Sequence, residues 1–128
     1  MKKRIGEHTM NPVRAIILTG NGTNCEMEMA YGCRLGSVDV VEIVHISSLL
    51  EGEKHLEDYE MLCLPGGFLD GDDMGAAKAS ANRFKYRKIK NKETTLLDEI
   101  IRFVLNGHLV FGVCNGFQLL VKLGLLPG

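Results

Sequence analysis

The chain has 128 residues, of which 45% are hydrophobic, 24% charged and 6% aromatic, and its formal net charge is −1. That much apolar material in one short chain describes a single globular domain with a core. It excludes a disordered tail, which would be poor in apolar residues and strongly charged. Fifteen Lys and Arg against sixteen Asp and Glu also exclude a dedicated nucleic-acid binder, whose affinity rests on an excess of positive charge.

Met1-Lys2-Lys3-Arg4 is basic like the start of a signal peptide, but Gly6-Glu7-His8-Thr9 stands where an apolar stretch is required. Residues 1–11 are read as an extension or an expression remnant. Val13–Leu18 is a β-branched apolar run closed by Gly20-Asn21-Gly22, which predicts a strand ending in a loop. Thr23 or Asn24 is placed to cap the next helix, with Met27, Ala30, Tyr31 and Leu35 on one face and Gly36 as its stop. Val38–Val44 is a second strand, and Tyr59–Leu64 a third that ends at Pro65-Gly66-Gly67.

Between that strand and the next helix the charge is uneven. Glu51 to Asp73 holds eight acids against Lys54, whereas Met74 to Lys92 holds no acid and Lys78, Arg83, Lys85, Arg87, Lys88, Lys90 and Lys92. The basic stretch is either a solvated surface excursion or a docking or phosphate-facing surface. Thr94 or Thr95 then opens a helix in which Leu97, Ile100, Ile101, Val104 and Leu105 recur at helical spacing, closed by Asn106-Gly107. A fourth strand, Leu109–Val113, runs straight into Cys114 and a helix reaching Leu123. Polar residues and glycines interrupt the apolar run 109–126, so it reads as strand plus helix and no membrane span. Strands alternating with helices predict an α/β domain with a mainly parallel sheet.

Cys25, Cys33, Cys63 and Cys114 show no C-x-x-C pair and no zinc-like spacing. Three of them read as small buried hydrophobes, and unpaired thiols point to a reducing compartment, the cytoplasm. Cys114 reads differently. Gly112-Val113-Cys114-Asn115-Gly116 is G-x-C-x-G between an apolar strand and an amphipathic helix, the form of a nucleophile elbow with Cys in place of Ser. The flanking glycines relieve a turn with no room for Cβ atoms. The turn sets the sulfur at a helix N-terminus, whose partial positive charge favours the thiolate. The Asn115 backbone N–H then points where an oxyanion forms, and Gly66 and Gly67 lie in a loop suited to supply a second donor.

Leu64-Pro65-Gly66-Gly67-Phe68, Gly71-Asp72, Gly112 to Leu120, and Gly124-Leu125-Leu126-Pro127-Gly128 together resemble class I glutamine amidotransferases. Gly22-Thr23-Asn24-Cys25-Glu26 and the Cys-Asn-Gly-Phe-Gln run are most similar to a subgroup serving purine biosynthesis. The resemblance implies a flavodoxin-like three-layer α/β fold, with residues 12–128 as the N-terminal portion of the amidotransferase domain. It implies Cys114 as nucleophile toward glutamine, Gly67 and Asn115 as the oxyanion hole, and Gly66, Phe68 and Gln118 as substrate-binding residues. It implies ammonia transfer to a synthetase subunit or domain that uses ATP and Mg, with no cofactor or metal in this chain and no nucleic-acid or membrane partner. The acid-rich Leu69–Asp73 run departs from the serine- and tyrosine-containing loop of many members.

Members also carry a His-x-Glu well downstream of the nucleophile, and no His, Asp or Glu follows Cys114 here. His108 sits at the opposite end of the same strand, roughly 20 Å away at the usual rise. His45 lies at the correct edge but reads as a capping or surface residue, His55 lies in a charged loop, and His8 in the extension. The expectation is an incomplete glutaminase domain, inactive alone, with its last strand left as an uncovered sheet edge. Other classes remain open at this point. One is a flavodoxin-type flavin carrier using the Leu18–Asn24 loop as a phosphate cradle. Others are a DJ-1-like or dienelactone-hydrolase-like cysteine hydrolase, and a non-catalytic binding module.

Overall fold

Four apolar runs form the four parallel strands of one sheet. The computed structural model describes residues 3–5, 8–10, 12–20, 25–65, 82–113 and 115–125; for 3–5, 8–10, 115, 116 and 118 only the backbone element is described. In chain order these are β1 (Lys3–Ile5), β2 (His8–Met10), β3 (Arg14–Thr19), α1 (Glu26–Leu35), β4 (Val40–His45), α2 (Ile46–Leu50) and a 3-10 turn (Leu56–Asp58). Then follow β5 (Met61–Leu64), a helical stretch over 82–86 (α3), α4 (Leu96–Leu105), β6 (Leu109–Gly112) and α5 (Asn115–Lys122). β1 and β2 form an antiparallel hairpin of their own, which nothing in the composition of residues 1–11 announces.

The main sheet has the order β4-β3-β5-β6. All three of its pairings are parallel: Arg14↔Val40 to Thr19↔His45, Ala15↔Met61 to Ile17↔Cys63, and Met61↔Leu109 to Leu64↔Gly112. Alternation along the strands divides the core in two. Ile16, Leu18, Leu62 and Leu64 pack with α2, Phe84, α4 and α5, while Ala15, Ile17 and Cys63 pack with Ala30 and Cys33 of α1. A parallel sheet covered by helices on both faces is the three-layer α/β fold expected from the sequence.

The helix faces differ from the sequence reading. On α1 the buried residues are Ala30 and Cys33, whereas Met27, Tyr31 and Leu35 are exposed. Small side chains let this helix lie close to the sheet, and the bulkier stripe is turned outward. On α4 the buried residues are Leu96, Ile100 and Phe103, while Ile101, Val104 and Leu105 face outward. That helix has apolar residues around most of its circumference, and the sheet takes the stripe containing the aromatic ring. The N-cap of α1 is Cys25 rather than Thr23 or Asn24, which lie outside the described residues. Thr95 caps α4 through a reciprocal box: the Asp98 N–H donates to Thr95 Oγ1 at 3.2 Å and the Thr95 N–H to Asp98 Oδ2 at 2.9 Å.

Three helices end alike. His108 N–H reaches the Phe103 carbonyl after α4, Leu125 N–H reaches that of Leu120 after α5, and Val38 N–H reaches that of Cys33 after α1. Each is a Schellman closure needing one left-handed residue. Gly107 (φ +88°) and Gly124 (φ +81°) supply it without strain, and after α1 Ser37 (φ +67°) takes it, one residue beyond the expected stop at Gly36.

Candidate active site

β3, β5 and β6 lie side by side in parallel, so the loops that follow them leave from one edge of the sheet. That is the edge where open α/β sheets bind ligands. The ladder between β5 and β6 continues one step past the strands, because the Val113 N–H donates to the Leu64 carbonyl at 3.0 Å. This bond holds the exit of β6 against Pro65, the buried first residue of the Pro65-Gly66-Gly67 run. β6 ends at Gly112 and α5 begins at Asn115, so strand becomes helix across Val113 and Cys114. The first N–H groups of α5 have no partner within the helix and open toward this edge. Leu119, Leu120 and Leu123, buried in the larger core, fix the helix behind them.

A strand ending at Gly112 and a helix beginning at Asn115 therefore flank Cys114, as the sequence pattern leads one to expect. Cys114, Gly66, Gly67 and Phe68 lie outside the described residues, as do the side chains of Asn115 and Gln118, the first and fourth residues of α5. The Leu69–Asp73 run and Lys78 also lie outside them.

His45 and His108 do other work. His45 is the N-cap of α2: its Nδ1 accepts the Ser47 N–H at 3.1 Å and lies 2.9 Å from Ser47 Oγ. An accepting Nδ1 leaves the proton of the neutral ring on Nε2. β4 is also three strands from β6, about 14 Å at the usual spacing. His108 precedes β6 at its amino end, with its ring 4.9 Å from that of Phe103. Neither is placed to take a proton at the exit of β6. Among the described residues no three His, Cys, Asp or Glu side chains gather as a metal site, and no described helix is long and apolar enough to cross a membrane.

The polar cluster with shifted protonation lies elsewhere. Glu42 Oε1 accepts from the Tyr59 hydroxyl at 2.6 Å and from Lys54 Nζ at 3.3 Å, and Arg14 lies 3.8 Å from Oε2. The Tyr59 hydrogen bond, helped by Lys54 and Arg14, holds the Glu42 carboxyl below its usual range, while burial first and Glu42 second push the Tyr59 hydroxyl up. Arg14 opens β3 and Tyr59 precedes β5, so this cluster braces the amino ends of the strands, away from the candidate site.

Three of the described residues of the basic stretch, Arg87, Lys88 and Lys90, are paired with acids. Arg87 and Lys90 both approach Glu51, at 3.6 and 4.0 Å, Lys88 meets Glu93 at 3.1 Å, and the Lys90 N–H donates to the Leu50 carbonyl at 2.8 Å. These exposed pairs contribute little stability, and they favour the solvated-surface reading over a phosphate-facing one for residues 82–92. Cys33 and Cys63 are buried, as expected, and Cys25 is half-buried. Sequence reading missed that the first two meet across the core, Sγ to Sγ at 3.9 Å.

At the free flank of the sheet, Leu109, Phe111 and Val113 are exposed. Beside them Val104, His108, Leu109, Val110, Leu120 and Leu125 line a groove of about 250 Å³. Among the described residues no strand pairs with the outer side of β6, and the exposed residues there are apolar.

Residues 12–128 match the family model of the CobB/CobQ-like glutamine amidotransferase domain. The chain is 41% identical over 112 residues to the phosphoribosylformylglycinamidine synthase subunit PurQ of Methanococcus maripaludis, covering 88% of this chain and 38% of that protein. It is 40% identical over 119 residues to the subunit of the same name from Dehalococcoides mccartyi, covering 93% and 43% respectively. It is 42% identical over 115 residues to that of Treponema denticola, covering 90% and 39%. The chain thus spans about two-fifths of the length of these curated relatives.

Proposed function

The chain belongs to the CobB/CobQ-like glutamine amidotransferase domain family, and on that premise we propose that it supplies the nucleophile-bearing part of the glutaminase component of phosphoribosylformylglycinamidine synthase. Cys114 Sγ attacks the side-chain amide carbon of glutamine. The carbonyl oxygen takes up negative charge between the backbone N–H groups of Gly67 and Asn115. Collapse of that intermediate breaks the C–N bond as the nitrogen takes up the proton given up by the thiol and leaves as ammonia, and water then hydrolyses the γ-glutamyl thioester to glutamate. Gly66, Phe68 and Gln118 seat the substrate. Ammonia passes to an ATP- and Mg-dependent synthetase subunit or domain, in a reducing cytoplasm. The names of the relatives do not favour the flavin-carrier or other cysteine-hydrolase readings.

The observation that carries this reading is the bond from Val113 N–H to the Leu64 carbonyl at 3.0 Å. It supports a site in which the elbow and the Pro65-Gly66-Gly67 loop face one another across adjacent strand ends. A thiolate nucleophile works as a unit with its general base, and neither His45 nor His108 is placed to serve the exit of β6. In this reading the base belongs to the part of the relatives' length that this chain does not span. Glutamate release from glutamine tests this directly: the isolated chain is expected to show none above the uncatalysed rate, and robust turnover by the chain alone would overturn this assignment of the base.

A further inference from the structure

Cys33 and Cys63 come from elements 30 residues apart and meet inside the smaller core cluster, where their Sγ atoms lie 3.9 Å apart. Their companions there, Ala15, Ile17 and Ala30, are all apolar, so each sulfur has the other as its polar neighbour. The small side chains on the buried face of α1 bring that helix close enough to β5 for the two thiols to face one another. Bonding distance in a disulfide is about 2.0 Å. Closing the gap from 3.9 Å asks each sulfur to move about 1 Å toward the other. β5 also runs through Leu64 into Pro65, so a covalent tie at Cys63 acts two residues from the loop that follows.

We propose that Cys33 and Cys63 are a redox modification site, closed to a disulfide by hydrogen peroxide and reopened by a dithiol. Cys33 is 9% exposed and Cys63 fully buried, so Cys33 is the sulfur that peroxide reaches first. Its sulfur attacks one peroxide oxygen, the O–O bond breaks, and sulfenic acid and water result. Cys63 Sγ then attacks the Cys33 sulfur, the S–O bond breaks, and the departing hydroxide leaves as water with the Cys63 proton. In sum, two thiols and one peroxide give one disulfide and two waters. Burial, with Cys33 beside it, raises the Cys63 thiol to about 12, so Cys63 enters the second step protonated and the step is slow, its proton leaving with the departing hydroxide. The same burial shields the pair from bulky oxidants such as glutathione disulfide. The product ties α1 covalently to the central part of the sheet.

The test stands apart from the glutaminase reading, since it does not involve Cys114. The 128-residue chain is treated with hydrogen peroxide, alkylated after denaturation and digested. A peptide joining Cys33 to Cys63, lighter by two hydrogens than the separate thiols, is expected. Because the tie closes a loop of about 30 residues, the melting temperature is expected to rise by roughly 5 °C or more and to return on adding dithiothreitol. A Cys33→Ala chain is expected to show neither change, and the mapping on the unsubstituted chain stands even if that variant folds poorly. Recovery of both thiols in alkylated form after peroxide, or of Cys33 as sulfinic acid with no linked peptide, would overturn the proposal.

Discussion

The rotation of α4 on the sheet gives a sharp quantitative prediction, because two apolar stripes compete on that helix and the structure buries only one. Ile100 is 0% exposed and Leu105 is 80% exposed. Ile100→Ala removes three carbons from a packed interior and leaves a cavity, a change that costs about 3.5 kcal/mol within a range of roughly 2–5. Leu105→Ala removes a side chain of which only a fifth has left the water. That scales a full burial of roughly 1.5–3 kcal/mol down to about 0.4, and Leu and Ala differ little in helix propensity. A domain of this length is stable by roughly 6–19 kcal/mol, so the first change removes a large share and the second almost none. Urea titration followed by circular dichroism measures both. With a slope near 2 kcal/mol/M, the midpoint should fall by about 1.8 M for Ile100→Ala and by about 0.2 M for Leu105→Ala. Equal losses, or a larger loss for Leu105→Ala, would mean that the helix turns its Ile101, Val104 and Leu105 stripe inward and that the packing described is wrong.

Thr95→Ala removes the hydroxyl half of the capping box and is expected to cost about 1 kcal/mol in the same titration. The carboxyl of Asp98 is held low mainly by the Thr95 backbone N–H, and then by its side chain, so the variant should also lose part of its sensitivity to acid. Glu42 has a folded pKa below its ordinary 4.5; its contribution is complete above about that pH and is lost as pH falls through the lower folded value. A Glu42→Gln chain should therefore be less stable near neutrality, and its melting temperature should fall less than that of the native chain between pH 5 and pH 3. Phe111→Lys places a charge on the open flank of β6 and is expected to reduce self-association of the isolated chain in sedimentation velocity, at less than about 1 kcal/mol in stability, since charge is a common guard on sheet edges.

Much of this fold is legible in the sequence because β-branched runs bounded by Gly, Pro and Asn have few other solutions. Arg14–Thr19, Met61–Leu64 and Leu109–Gly112 fall within a residue or two of where those patterns place them. The faces of α1 and α4 are less legible, because Met27, Tyr31 and Leu35, or Ile101, Val104 and Leu105, look as apolar as the stripes that are buried. Shape decides between them: Ala30 and Cys33 allow close approach, and Phe103 fills space. The expected role of His45 as a cap holds, since its position just before a helical turn with Ser two residues on is a local signal. The meeting of Cys33 with Cys63 leaves no such trace, because it depends on which face of β5 lies under which turn of α1. For the site, the strand–turn–helix frame around Cys114 was legible from glycine spacing. The Val113–Leu64 bond that joins the two loops follows from strand order, which one sequence alone does not state.

The central claim is that Cys114 is the nucleophile toward glutamine. Incubation of the native protein with a glutamine-mimicking diazoketone, followed by peptide mass spectrometry, tests it most directly. The account predicts a single adduct on Cys114, suppressed by excess glutamine and absent after Cys114→Ala. Modification of another residue, or no glutamine-protected adduct at all, would contradict it.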